Sequence, residues 1–220
     1  MSTRNTFGFA RPSHDVAQRC FDLAIAAFAL LVFAPIMTIV ATAIAFESGF
    51  PVLFRQARIG IGGRPFEMYK FRKFSRSCSG PALTKADDSR FTKVGKFLAK
   101  TKLDELPQFW NVLTGDMAIV GPRPETFEFS GCYTGGYEEA LQYKPGVVGP
   151  SQVFFRDEAS HYPEGGDPCQ FYREVIFPIK AGLDIAYCRR RTIASDVVWL
   201  WRSALAVFGR TPWKSSVRAI

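Results

Sequence analysis

Two adjacent carboxylates stand just ahead of a proline in the run Leu103-Asp104-Glu105-Leu106-Pro107-Gln108, followed by Asn111, Gly115-Asp116-Met117 and Gly121-Pro122-Arg123-Pro124-Glu125. On their own, acids before a proline mark a helix start, where negative charge meets the positive end of the helix dipole. Beside a surplus of cations they have other uses. A carboxylate pair holds a divalent cation that bridges to a diphosphate. A carboxylate also attacks phosphorus, forming an acyl phosphate and splitting one transfer into two displacements. An anion attacking an anion needs positive charge, which Mg²⁺ and Arg or Lys supply. Arg123, set between two prolines, has a restricted backbone and loses less entropy when it grips a phosphate.

The surplus of cations is there. The net charge is +8, yet between Arg55 and Lys102 thirteen Lys and Arg face only Glu67, Asp87 and Asp88, so this block alone carries the basic excess. Such a block suits phosphates of nucleotides, lipid headgroups or nucleic acid. No reading helix or aromatic platform accompanies the charge, so nucleic acid is not the expected partner. Five cysteines without a CxxC spacing and two histidines, His14 and His161, speak against a disulfide framework, a zinc site or a histidine-rich metal centre.

The elements that must position these residues follow from the pattern. Residues 1–17 read as a loose arm. Leu23–Phe46 holds 24 residues without a charge, long enough as a helix to cross a bilayer. Pro35 lies near its middle and is expected to bend or break it. Both flanks are basic, with Arg4, Arg11 and Arg19 before the run and Arg55, Arg58 and Arg64 after it. The bias of Lys and Arg toward the cytosol fits a helix–break–helix hairpin that enters and leaves by one leaflet; a single crossing and a buried core helix remain open on these residues alone. Val52–Arg58 and Arg64–Phe71 read as strands around Gly60-Ile61-Gly62-Gly63. Thr92–Lys102, Phe171–Arg191 and Ile193–Phe208 read as helices, the last with an apolar face around Trp199 and Trp201 that, like Trp213, suits a membrane interface. The fold class expected is α+β, mostly helical: a re-entrant membrane hairpin over 18–48, and a catalytic domain over 49–220 with a short β-hairpin and interfacial amphipathic helices.

Taken together, these stretches resemble the bacterial sugar transferase family, monotopic enzymes that move a sugar phosphate onto a polyprenyl phosphate. The resemblance is carried by Arg19-Cys20-Phe21-Asp22 with Pro35, by Pro51 to Gly60 and Tyr69-Lys70-Phe71-Arg72, and by Asp88 to Gly95. It continues through the Asp104–Glu125 run and Lys144-Pro145-Gly146-Val147-Val148-Gly149, and more loosely through Phe155–Glu158 and Asp184–Tyr187. It implies a re-entrant hairpin bent at Pro35, on the cytosolic face of a bacterial inner membrane. It implies Asp104 as the nucleophile on the β-phosphate of a UDP-sugar, with release of UMP and later attack by undecaprenyl phosphate on the aspartyl intermediate. Glu105, with Asp104, would hold Mg²⁺. Arg123 would hold nucleotide phosphates, and Lys70, Arg72, Lys100, Lys102 and Gln108 complete the expected substrate contacts.

Two departures from the family pattern bear on this. Ala34 stands where a serine usually precedes the hairpin proline, and Ala99 where an arginine usually lies five residues before the nucleophile. Ala99 motivates the alternative of a catalytically silent, membrane-bound binding module of the same fold. Recognition of the sugar is expected in the divergent stretch between Thr126 and Gln170, and the sequence carries no signal for the oligomeric state.

Overall fold

A computed structural model describes residues 16–76, 88–163 and 166–207 of the chain. The apolar run forms α1 (Val16–Ser48), 33 residues that stay helical through Pro35. The helix therefore starts inside the expected arm, and the expected break is not there. Proline deletes only one amide donor, the one that would reach the Leu31 carbonyl, and the turns on either side carry the helix past it. One turn on, the Thr38 hydroxyl donates to the Ala34 carbonyl at 2.9 Å.

What the sequence pattern does not show is how α1 is held. Near its start, Arg19 donates to the carbonyls of Val112 and Leu113 at 2.8 and 3.2 Å. One turn later the Asp22 carboxylate accepts the Ile119 amide at 3.1 Å. Near its end, Val40 and Ile44 pack against Phe71 and Leu98, and Glu47 accepts the Lys93 amide at 2.8 Å. Ala26 and Ala29 are still covered, but from Leu30 to Ile39 no residue is buried, with Leu31 76% and Ile39 69% exposed.

Strands β1 (Leu53–Ile59) and β2 (Pro65–Phe71) pair antiparallel from Leu53↔Phe71 to Ile59↔Pro65. Their turn passes through Gly62 and Gly63 at φ of 67° and 73°, a region closed to most side chains. Helix α2 (Lys93–Thr101) starts at Thr92, whose hydroxyl accepts the Gly95 amide. Lys102 ends it at φ 60° and turns the chain into a short 3₁₀ segment, Leu103–Glu105, before α3 (Gln108–Thr114). Asn111 in α3 is fully buried and acts as a strand mimic: its Oδ1 accepts the Tyr69 amide at 3.0 Å and its Nδ2 donates to the Glu67 carbonyl at 2.7 Å. The carboxylate-bearing turn is thereby tied to the free edge of β2.

Beyond α3, β3 (Ala118–Val120) pairs in parallel with β4 (Gly146–Val148). The loop after β3 lies backbone to backbone on the start of β4: a Cβ on Gly121 would lie 2.4 Å from the Lys144 carbonyl oxygen, and one on Gly146 2.1 Å from the Gly121 nitrogen. Helices α4 (Pro150–Phe154), α5 (Pro168–Phe171), α6 (Phe177–Cys188) and α7 (Ile193–Val207) complete the body. A single π-turn, Tyr172–Ile176, joins α5 to α6 where Pro178 lacks the amide an α-turn would use. It faces Tyr172 into a core of Phe129, Phe155, Phe177 and Ile185. On α7, Val197 and Trp201 point outward at 51% and 66% exposure, while Trp199 and Leu200 pack inward beside Val147. Trp213 lies outside the described residues. The architecture is α+β and mostly helical, as expected.

Replacing Asn111 by leucine would keep the volume but leave the Tyr69 amide and the Glu67 carbonyl unpaired. At roughly 1–3 kcal/mol for each buried orphan, the Asn111→Leu protein is expected to unfold at clearly lower temperature in a detergent-solubilised thermal melt.

Candidate active site

The loops converge on one large cavity, about 1480 Å³, lined by thirteen Lys and Arg and by only four acids, Glu105, Glu125, Asp157 and Glu158. Glu105 lines this cavity, and Asp104 lies buried behind the lining, against Lys73. Glu105 meets Lys70, the residue before the last of β2, with Nζ 2.9 Å from Oε1. Asp104 is only 1% exposed, and Lys73 Nζ lies 3.1 Å from its Oδ2. That contact lacks hydrogen-bond geometry, so both Asp104 oxygens remain without a donor. A buried, unsatisfied carboxylate costs free energy and points to a role outside folding.

Backbone packing sets Lys73 in place. The Thr92 amide donates to the Lys73 carbonyl at 3.0 Å, and a Cβ on Gly95 would lie 1.9 Å from that same carbonyl oxygen. Only glycine lets α2 approach so closely, and the approach hangs the Lys73 side chain over Asp104. Lys102 contributes differently. Its left-handed backbone costs roughly 1 kcal/mol in a non-glycine residue and turns Asp104 and Glu105 toward the cations.

The charges respond. Burial alone would raise Glu105, but Lys70, Lys102 and Arg123 outweigh it and hold the carboxyl far below its usual range. Lys70 is pushed down to about 8 by burial, despite the pull of Glu105 and Asp104. Burial likewise disfavours the Arg123 cation, yet Glu105, Glu158 and Glu125 together hold it more firmly charged than usual. The Arg123 backbone is fixed by Asp184, whose Oδ2 accepts the Arg123 amide at 3.2 Å and the Ser151 hydroxyl at 2.6 Å, while Oδ1 accepts the Ser151 amide at 2.9 Å. Burial pushes Asp184 up to about 6 against those bonds. Arg58 donates to the Pro124 carbonyl at 3.1 Å and holds the other side of the loop. No hydrogen bond or ion pair to another described residue engages the Arg123 guanidinium.

The residues singled out in the sequence divide. Asp104, Glu105, Lys70 and Arg123 come together, Lys100 and Lys102 line the same cavity, and Gln108 is buried beside Glu105 and Arg123 in a small adjoining pocket. Arg72 lines the cavity too, but its Nη2 donates to the carbonyls of Ser48 at 2.9 Å and Gly49 at 2.6 Å, closing the end of α1. Lys73 is not among the residues expected in the site, and Arg156, Glu158 and Asp184 enter only through the loosely matching stretches Phe155–Glu158 and Asp184–Tyr187, without a role. Ala99 lies in the lining, and Arg156 reaches the neighbouring Lys100 carbonyl at 3.0 Å, so a guanidinium stands beside the shortened side chain.

Among the described residues no three His, Cys, Asp or Glu side chains converge as a metal cage. Mg²⁺ is nevertheless compatible with this donor set, since it is commonly held by one or two carboxylates plus substrate phosphates; Asp104 and Glu105 would hold it with Lys73 and Lys70 drawn aside.

A body that carries one long apolar helix and a cationic cavity beside buried carboxylates suits phosphate-group chemistry, and the family match agrees. Residues 13–210 match the profile of the bacterial sugar transferase family, and the chain belongs to that family. It is 41% identical over 143 residues to a UDP-glucose:undecaprenyl-phosphate glucose-1-phosphate transferase of Klebsiella pneumoniae, covering 63% of this chain and 31% of that one. A protein of the same name from Caulobacter vibrioides is 40% identical over 148 residues, 65% of this chain and 55% of its own. A UDP-N-acetylgalactosamine-undecaprenyl-phosphate N-acetylgalactosaminephosphotransferase of Aeromonas hydrophila is 39% identical over 151 residues, 64% and 35% of the two chains. The alignments span from about a third to about half the length of these relatives.

Lys70 loses its charge as pH rises through about 8. Binding of inorganic pyrophosphate, followed by calorimetry, is therefore expected to weaken across that pH. The Lys70→Arg protein, whose guanidinium stays protonated, is expected to hold its affinity to higher pH.

Proposed function

We propose that the protein is a phosphoglycosyl transferase that moves a sugar 1-phosphate from a UDP-sugar to undecaprenyl phosphate through a covalent aspartyl intermediate, the first membrane step of surface-glycan assembly. The observation that carries this reading is Asp104: a nearly inaccessible carboxylate that accepts no hydrogen bond among the described residues, held behind Lys73, which with Glu105 lines the cation-rich cavity.

In the first displacement a diphosphate enters the cavity and is gripped by Arg123, which is free to receive it. Lys73 moves from Asp104 to the incoming phosphate, uncovering the carboxylate. An Asp104 oxygen attacks the β-phosphorus. The bond from that phosphorus to the bridging oxygen breaks, and the electron pair leaves with UMP. In the second displacement an oxygen of the lipid phosphate attacks the same phosphorus, the Asp104 oxygen–phosphorus bond breaks, and the carboxylate is regenerated. Lys70 and Lys73 offset the negative charge that gathers in both steps. Mg²⁺ bound by Asp104 and Glu105 would neutralise the phosphate oxygens further.

We also infer that α1 is re-entrant and that the body lies on the cytosolic face of a bacterial inner membrane. A body in one compartment cannot hold both ends of a helix that crosses roughly 30 Å of hydrocarbon. Here Arg19 and Asp22 at one end, and Ile44 and Glu47 at the other, grip the same folded unit. The bare stretch between them contains Pro35, the place for a bend within a hydrogen-bonded helix.

Asp104→Asn keeps the shape and removes the attacking anion, so UMP release should fall by orders of magnitude in a protein with an unchanged melting curve. Near wild-type turnover would rule out the covalent route. Chelation with EDTA is expected to abolish UMP release and added Mg²⁺ to restore it; full activity in chelator would remove the role given to Glu105. For the topology, single cysteines at Val16 and Arg55 on a cysteine-free background should both resist an impermeant thiol reagent in intact cells and react once the inner membrane is opened. Reaction of either from the periplasm would show a crossing.

A further inference from the structure

Beyond Arg123 the wall of the cavity carries two carboxylates, Glu125 and Glu158, joined by one buried ammonium, Lys180, which lies 3.5 Å from Glu125 and 2.9 Å from Glu158. Glu158 Oε2 accepts from Lys180 at 2.9 Å, and its Oε1 accepts the Tyr162 hydroxyl at 2.7 Å. Lys180, 3% exposed, also donates to the Tyr172 hydroxyl at 2.9 Å, and Tyr172 donates to Glu125 at 2.5 Å. Glu158, Lys180, Tyr172 and Glu125 all line the cavity. So does Thr126, 8% exposed, whose buried hydroxyl has no partner.

None of these groups takes part in the two displacements. With two carboxylates against one ammonium this wall is the less cationic side, so the phosphates belong on the Lys70 and Lys73 side of Arg123. The wall instead alternates acceptors and donors, and one hydroxyl in it is unsatisfied. That pattern suits a neutral, hydroxyl-rich group, since carboxylate and ammonium groups make the stronger, charge-assisted hydrogen bonds to such partners. A UDP-sugar has two groups of that kind, the ribose and the sugar. The phosphorus attacked by Asp104 bears the sugar, and Arg123 lies under the influence of both Glu105 beside that nucleophile and Glu158 on the acidic wall.

We propose that this acidic wall is the subsite for the transferred sugar, and that Glu158, braced by Lys180 and Tyr162, determines which hydroxyl configuration is accepted. The proposal rests on the transferase reading above and adds to it the place where the donor is chosen. A site built to hydrogen-bond a hydroxyl discriminates strongly against a substrate that misplaces it, because its own buried groups are then left unpaired.

The test uses the full chain in nanodiscs with undecaprenyl phosphate. UMP release is measured over a panel of UDP-hexoses and UDP-N-acetylhexosamines to find the preferred donor and its C4 epimer. The kcat/KM ratio for that pair is then compared between wild type, Glu158→Gln and Tyr162→Phe, alongside the inhibition constant of UMP. Glu158→Gln is expected to shrink the ratio by about tenfold or more, with UMP inhibition unchanged. Tyr162→Phe, which removes only one brace, is expected to shift the ratio in the same direction by less, and it carries the test if Glu158→Gln does not fold. An unchanged ratio in the folded variants overturns the proposal. So does a weakening of UMP inhibition that matches the loss in kcat/KM, which would place the ribose at this wall. If wild type releases UMP from no UDP-sugar, the transferase reading itself falls; release with an unmoved ratio removes the subsite alone.

Discussion

Two neighbouring carboxylates in a nearly dry pocket repel each other and miss their hydration, and the body is built around offsetting that cost. Lys70 and Lys73 lie within 3.1 Å of Glu105 and Asp104 and supply the opposite charge. Each is delivered by a different device. Lys70 comes from β2, whose free edge is held by Asn111 of the helix that follows the carboxylates. Lys73 comes from the segment after β2, pressed onto α2 at Gly95. Glu105 is answered by a proper hydrogen bond and Asp104 is not. This asymmetry separates a carboxylate that is held from one that is available.

The same economy governs the Arg123 loop. Its cation is kept charged by carboxylates on both sides, its amide is pinned by Asp184, and Arg58 holds the next carbonyl. Gly121, Gly146 and Gly149 let the two segments lie against each other without side chains between them, since a Cβ on Gly149 would fall 2.4 Å from the Gly121 carbonyl oxygen. Rigidity here comes from backbone contact, leaving the guanidinium as the part free to respond to a ligand.

Much of this was legible from local pattern. Strand alternation around Gly60–Gly63 placed the hairpin, and helical spacing placed α2, α6 and α7 within a few residues. The Asp104–Glu105 pair stood out because adjacent acids beside a basic block have few structural uses. Other features depended on contacts that no local pattern encodes. Arg72 has the parity of Lys70, but the strand ends at Phe71, so alternation no longer predicts where it points; it turned to the end of α1. Lys73 looked like one more flanking cation until α2 folded against its backbone. Glu158 and Lys180 sit 22 residues apart, one in a stretch without periodicity and one on α6, and single charges in either setting ordinarily face solvent. At Pro35 the helix is not broken, because the loss of one amide is small against a helix of 33 residues, and a bend there is compatible with an unbroken helix.

The double anchoring of α1 also bears on how the proposed substrates would find the cavity. If the exposed middle of α1 sits in a bilayer, a body fastened at both ends of that helix has no hinge on which to rise or tilt, and the cavity keeps one height relative to the membrane. A lipid-borne phosphate would then search for it in two dimensions, whereas a nucleotide sugar would search in three from bulk solvent. On the proposed function, the meeting of the two would be organised by the geometry of a single helix before any cation in the cavity acts.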